Sequence, residues 1–146
     1  MKVRPSVVII ENDCVLLMRY RYGQTDVYNL PGGNVDKGET LVQTVMRELQ
    51  EELGIEIAVK KMILTGEILM PEPKKDILHC VFVAKITQGE PILNPVETSA
   101  LAVVWKPINM LKDLEMYPNV GAELERILLE GVSFQYIGRI EQGWYE

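Results

Sequence analysis

Histidine is almost missing from this chain, with one residue, His79, among 146. A histidine-based metal site or an imidazole-driven triad therefore has almost no raw material, and His79 reads as a strand residue with a satisfied hydrogen bond. Cysteine is scarce as well. Cys14 and Cys80 lie in apolar, strand-like surroundings and read as buried packing thiols, not as a disulfide or a catalytic pair. There is no surplus of positive charge. The net charge is −6, and no basic track is present for a phosphate backbone, which argues against a nucleic-acid polymer as partner. Long apolar runs are missing too; Val7–Ile10 and Val15–Met18 are far too short to span a bilayer. The first residues lead directly into strand-like sequence without a secretory core, so a cytoplasmic protein is expected. No repeat, low-complexity tract or linker interrupts the chain, and 47% hydrophobic with 25% charged residues suits one soluble domain over residues 1–146.

What the chain does have is a concentration of acid. Glu39–Glu52 carries four glutamates against one arginine, half of the whole net charge. At about 100° per residue, Glu48, Glu51 and Glu52 share one arc of a helix. Leu41, Val42, Val45, Leu49 and Leu53 share a neighbouring apolar arc. Carboxylates at i, i+3 and i+4 repel by roughly 0.2–0.5 kcal/mol per pair, and the helix C-terminus adds a further penalty for negative charge. A solvated face is the usual fate of such a run. A hard divalent cation held by oxygen ligands, Mg²⁺ or Mn²⁺, is the alternative that would justify the cost. The flanks support the second reading. Leu30-Pro31-Gly32-Gly33 makes a turn that frees backbone groups to approach a ligand, and Gly54 supplies a left-handed stop.

Gly33-Asn34-Val35-Asp36-Lys37-Gly38-Glu39-Thr40 comes within one residue of the phosphate-loop pattern G-x-x-x-x-G-K-[ST]. The departure puts Glu39 where the phosphate-gripping lysine belongs. A carboxylate there repels phosphate, and Asp36 adds to it, so any phosphate bound nearby needs a metal between.

The whole stretch resembles the signature of the Nudix hydrolases, G-x₅-E-x₇-R-E-U-x-E-E-x-G-U, with U a bulky aliphatic residue. Gly33, Glu39, Arg47, Glu48, Leu49, Glu51, Glu52, Gly54 and Ile55 occupy its fixed positions with the correct spacing. Asp36 stands where the family commonly has Glu, and Thr44 where a small Ala is usual. The resemblance implies an α/β/α sandwich with a mixed β-sheet, and Mg²⁺- or Mn²⁺-dependent cleavage of the pyrophosphate bond in a nucleoside diphosphate derivative. By that analogy Glu48, Glu51, Glu52 and the carbonyl of Gly33 hold the metal. Glu39 and Arg47 form an ion pair that anchors the loop on the helix. A further acidic group is expected from a late loop, and Glu97 is the candidate, with an exposed loop glutamate as the plain alternative. A non-hydrolysing nucleotide sensor is the rival class, though such domains usually lose motif carboxylates and this chain keeps them.

Outside the motif the reading is coarser. Arg19 and Arg21 could grip phosphate oxygens, unless they form a solvated edge. Tyr22, Tyr28 and Phe82 could stack on a base, unless they fill the core. Pro71 stands where ADP-ribose hydrolases of the family tend to carry proline, a slight lean towards a nucleotide sugar over nucleoside triphosphates or dinucleoside polyphosphates. The expected partner is a small nucleotide, with no membrane, and with a homodimer left open. Strands are expected at Ser6–Glu11 and Cys14–Tyr20 around an Asn12-Asp13 hairpin turn. Tyr22–Asp26 reads as a loop and Val27–Leu30 as a short strand. The acidic helix should span Glu39–Leu53, and one bent strand or two should fill Ile55–Leu69. Further strands are expected at Ile77–Thr87 and Leu101–Trp105, a final strand or extended tail at Phe134–Ile140, a short helix at Asn109–Glu115 and an amphipathic one at Val120–Glu130.

Overall fold

The computed structural model describes residues 1–144. Its frame is set by strands whose alternate residues are apolar on both faces. β1 (Lys2–Glu11) and β2 (Cys14–Tyr22) form a hairpin through Asn12 and Asp13, which adopt φ of 52° and 60° as a tight two-residue turn requires. β3 (Thr25–Asn29) follows immediately. The expected loop at Tyr22–Asp26 is instead a second hairpin, because Gly23 accepts a φ of 61° and lets Tyr22 pair with Thr25. After α1 (Leu41–Leu53) come β4 (Glu56–Ile68), β5 (Ile77–Gln88) and β6 (Ala102–Pro107). Ile108–Asp113 is a 3₁₀ turn, not the α-helix expected there; β7 (Met116–Tyr117), α2 (Gly121–Glu130) and β8 (Gln135–Arg139) complete the described chain.

The strands order as β7-β3-β2-β1-β5-β4-β8, with β6 joined to the other edge of β2. β1 and β5 run parallel over eight paired residues, and β4 and β5 run antiparallel, so the sheet is mixed. β4 stays one strand; register shifts around Met62 explain its loose alternation. The sheet separates two cores. Val7, Ile9, Leu16 and Met18 pack on Val45, Leu49 and Leu53 of α1, whereas Val8, Val15 and Leu17 pack on Leu124 and Ile127 of α2. Consecutive strand residues thus serve opposite helices, which is the α/β/α sandwich expected from the sequence. No described helix is long and apolar enough to cross a membrane.

α1 begins two residues later than the pattern suggested, at Leu41 and not Glu39. Thr40 caps it: its hydroxyl accepts from the Gln43 N–H, and the Gln43 side chain accepts from the Thr40 N–H. Gly54 ends it at φ 67°. Val42, expected on the apolar arc, is 38% exposed, and Thr44 is buried in its place. Cys80 is buried and Cys14 only half-buried; neither is in a disulfide.

His79 departs from expectation. It is fully buried, but neither ring nitrogen has a hydrogen-bond partner, and its ring meets Tyr117 edge-on with centroids 5.3 Å apart. Burial, aided by the Arg4 charge, lowers its pKa to about 3. The unfolded chain, titrating near the ordinary 6.5, binds the extra proton between those values. Stability from this group is therefore complete above about pH 6.5 and falls as pH drops towards 3, by up to about 1.4 kcal/mol per pH unit. Replacing His79→Phe should flatten the acid side of the stability curve. Urea midpoints of both proteins from pH 7 to 4 test this, and parallel profiles would contradict it.

Candidate active site

The glycine turn is sewn to β1. Val7 N–H donates to Pro31 O at 2.9 Å and Gly33 N–H to Pro5 O at 3.2 Å, with Gly32 bridged to Ser6. A Cβ on Gly32 would collide with the Pro5 carbonyl, and one on Gly33 with the Glu48 carboxyl group. Glycine is required at both places because backbone and carboxylate already occupy the space. The turn thereby places Gly33 between the start of β1 and the acidic helix.

Arg47 organises the loop that follows. Its Nε and Nη2 donate to the two oxygens of Glu39 at 2.7 and 3.0 Å, a bidentate pair. Nη2 also reaches Asn34 O at 3.2 Å, and Nη1 donates to Glu48 at 3.0 Å and Glu51 at 3.2 Å. The two positions that drift from the family pattern both join this network. Thr44 Oγ1 donates to Glu39 at 3.1 Å, and Asp36 approaches Arg47 at 3.4 Å while its N–H donates to Glu39. These bonds, Arg47 first, hold the Glu39 carboxyl down at about 2.

Glu48 and Glu52 behave differently. Both line a cavity of about 400 Å³ with Arg4, Tyr20, Asn29 and Gly33. On the helix they fall between the buried Thr44 and Val45, so they enter the cavity half-buried. Burial raises the pKa of both, and the Glu48 charge helps push Glu52 to about 7. Glu51 is not among the residues lining that cavity; it turns to Arg47 and is 42% exposed. Among the described residues no three histidine, cysteine or acidic side chains are grouped to hold a metal ion. The donor chemistry nonetheless fits a hard cation. Glu48, Glu52 and the Gly33 backbone form an all-oxygen set in which carboxylates crowd with too little countercharge, and a side chain at Gly33 would fill that space.

Arg4 is the residue that sequence reasoning missed. Its Nη2 donates to Leu30 O at 3.2 Å, its guanidinium lies 5.1 Å from the Tyr117 ring centroid, and Nη1 is shielded from solvent without a partner. Burial lowers its pKa, while Tyr117 and Glu52 oppose the shift. A shielded guanidinium with an unused donor suits an anionic ligand. Only its place opposite Glu52, far away in the chain, distinguishes it from any other strand arginine. Arg19, Arg21 and Tyr28 are not brought to this cavity. β2 turns Met18 and Tyr20 towards it, so Arg19 and Arg21 point to the opposite face of the strand. Arg21 pairs with Asp26 at 2.7 Å, and Tyr28, opposite Arg19, carries Lys106 over its ring. Phe82 is core. Glu97 is exposed and does not line the cavity, yet its charge contributes to raising Glu52. Its loop is tied to the helix end, with Asn94 N–H donating to Glu52 O at 2.9 Å.

Removing the Arg47 side chain should cost about 2 kcal/mol of stability, since several charge-assisted bonds vanish and Glu39 and Glu48 lose their partner. Arg47→Lys should recover only part, because an ammonium cannot make the bidentate pair. Thermal melts of the two variants test this; an unchanged melting temperature for Arg47→Ala would refute the anchoring role.

The chain matches the Nudix domain family over residues 2–126. It is 30% identical over 134 residues to the NAD-capped RNA hydrolase NudC of Salmonella heidelberg, a match covering 90% of this chain and 49% of that protein. The chain thus spans about half the length of such curated relatives. Its fold is similar to that of a Nudix hydrolase from Nitrosomonas europaea, with a TM-score of 0.73 at 22% identity over 95% of this chain and 78% of that one. It is also similar to an ADP-ribose pyrophosphatase from Streptococcus suis, with a TM-score of 0.67 at 18% identity over 96% of this chain and 98% of that one. The complete motif, the sandwich that presents it and the family match agree: this chain belongs to the Nudix family.

Proposed function

We propose that this chain hydrolyses the pyrophosphate bond of a small nucleoside diphosphate derivative, with Mg²⁺ or Mn²⁺ as cofactor. The observation that carries this reading is the opposition inside one cavity of two half-buried carboxylates, Glu48 and Glu52, to the shielded guanidinium of Arg4. Bare carboxylates repel a diphosphate, and a buried arginine attracts it. Glu48, Glu52 and Gly33 O, with Glu51 if it parts from Arg47, would hold a divalent ion, which would supply neutralisation of phosphate charge and a lowered pKa of bound water.

The protein's own groups account for the remainder. Arg4 Nη1 holds a phosphate oxygen and orients the anhydride. Arg47 and Glu39 keep the helix carboxylates facing the Gly33 turn. Glu97 lies outside the cavity, and its part is to add negative field at Glu52. A nucleotide sugar such as ADP-ribose is favoured by Pro71, with nucleoside triphosphates and dinucleoside polyphosphates as the other substrates to be tested. The NudC relative is named for acting on NAD-capped RNA. At a net charge of −6 this chain is ill-suited to gripping an RNA body, so a small nucleotide is the preferred substrate.

Hydrolysis of ADP-ribose in ¹⁸O-labelled water should give AMP and ribose 5-phosphate, with label on one phosphate product. Free adenine, or ADP with ribose, would show that another bond is cut. Glu52→Gln should lower kcat by roughly a hundred-fold or more with the melting temperature retained. Arg4→Ala should raise KM by roughly ten-fold, the scale of one lost charge-assisted contact. Wild-type kinetics in both variants, or no hydrolysis of any nucleotide in a panel containing Mg²⁺ and Mn²⁺, would overturn the assignment.

A further inference from the structure

His79 takes no part in the chemistry described above, although it stands next to Arg4. β1 and β5 pair in parallel with Arg4 opposite His79, so both side chains leave the same face of the sheet. On its other flank His79 faces Gly66 of β4, which has no side chain to offer, and Ile137 and Ile140 crowd the space where its Cβ would be. Tyr117 is the third neighbour. Its ring meets the imidazole at 84° with centroids 5.3 Å apart, and the Arg4 guanidinium lies 5.1 Å from the centroid of the same ring. An imidazole and a guanidinium therefore share one tyrosine.

The hydrogen bonds that are missing make this arrangement informative. Arg4 Nη2 donates to Leu30 O at 3.2 Å, while Nη1 and both imidazole nitrogens are shielded from solvent without partners. A neutral imidazole carries one acceptor nitrogen, yet His79 does not take the Nη1 donor of its neighbour. A carboxylate or amide at position 79 would take it, because a buried guanidinium bonds to an acceptor in reach. His79 instead packs its ring on Tyr117, and Tyr117 packs on the guanidinium. Leu30 N–H donates to Tyr117 O at 3.1 Å, so both contacts of Arg4 belong to one unit.

Given the proposed function above, on which this reading rests, we propose that His79 is a positioning residue for the phosphate grip. It holds Tyr117, and through Tyr117 it holds the Arg4 guanidinium at the carboxylate cavity with Nη1 free for a phosphate oxygen. His79 does not line that cavity, so its effect falls on affinity and not on bond cleavage. What the position requires is a flat ring that leaves Nη1 alone. An aliphatic side chain of similar volume fills the space without the flat contact, and a polar chain with a free oxygen takes the donor away.

The test reads phosphate affinity apart from turnover. Tyr117 itself is a poor probe, because it also borders a second cavity, of about 220 Å³, with Tyr22 and Trp144, and Asn29 lines both cavities. Inorganic pyrophosphate is titrated calorimetrically into the Mg²⁺-loaded protein. Arg4→Ala should weaken binding by roughly ten-fold, and His79→Leu by about two- to five-fold, the scale of one cation–π contact. His79→Phe should keep wild-type affinity, whereas His79→Gln should lose at least as much as His79→Leu. In the double variant Arg4→Ala/His79→Leu the two losses should not add, the mark of one residue acting through the other. Thermal melting shows which variants fold, and His79→Gln takes the place of His79→Leu if the latter does not. With ADP-ribose as substrate, His79→Leu should raise KM by the same factor and leave kcat unchanged. Wild-type affinity in His79→Leu, equal losses in His79→Phe and His79→Leu, full additivity in the double variant, or a wild-type chain that binds no pyrophosphate would overturn the inference. The two readings fail separately. Nucleotide cleavage with unaltered KM in His79→Leu removes the positioning role and leaves the activity. The expected order of pyrophosphate affinities in a chain that hydrolyses no nucleotide removes the activity and leaves the role.

Discussion

The guanidinium of Arg47 is the point on which the acidic helix and its loop depend. Like-charged glutamates at i, i+3 and i+4, close to the negative end of a helix, form an unfavourable arrangement. Arg47 sits one residue before the first of them and spreads its donors over Glu39, Glu48, Glu51 and the Asn34 carbonyl. One cation therefore performs two tasks: it compensates the helix glutamates and fastens the 34–39 loop to them. The geometry needs a planar fork with several N–H groups, which arginine has and lysine lacks. Thr40, Gln43 and Thr44 reinforce the same junction, two through the capping box and one through Glu39. Glu52 is the carboxylate that Arg47 leaves alone, and it is the one with its pKa near neutrality.

A second constraint is steric. Gly32 and Gly33 lie so close to β1 and to Glu48 that any side chain would push them apart. Their contact with Pro5 and Ser6 brings Arg4, near the start of the chain, within electrostatic reach of Glu52 in the acidic helix. The cavity combines like charges that repel with an arginine that has a donor to spare. Such an arrangement is electrostatically uncomfortable. That discomfort is tolerable because the surrounding cores, one under each helix, are closely packed with aliphatic side chains.

The two faces of β2 illustrate how function was distributed. Met18, Tyr20 and Tyr22 face the cavities, and Arg19 and Arg21 face away. The sequence leaves Arg19 and Arg21 open between phosphate contacts and a solvated edge. Arg4 is the arginine that the fold turns towards the carboxylates.

The sequence alone determined what depends on local spacing. The acidic helix, its Gly54 stop, the glycine turn, the order of most strands and the membership of the family follow from short-range periodicity and a motif contained in residues 33–55. The Glu39–Arg47 pair could be read there too, because eight residues separate its members across a single loop and helix. Tertiary structure decided everything that depends on which face of a strand meets which element from elsewhere. It turned Tyr22–Asp26 into a hairpin, buried His79 without partners, exposed Val42, and left Glu51 outside the cavity. It also joined Arg4, Asn29, Tyr117 and Trp144, which come from four separate segments, around one pair of cavities. A period-two strand pattern says that neighbours point in opposite directions but not which direction leads to the site. That choice is made only when the sheet packs between its helices.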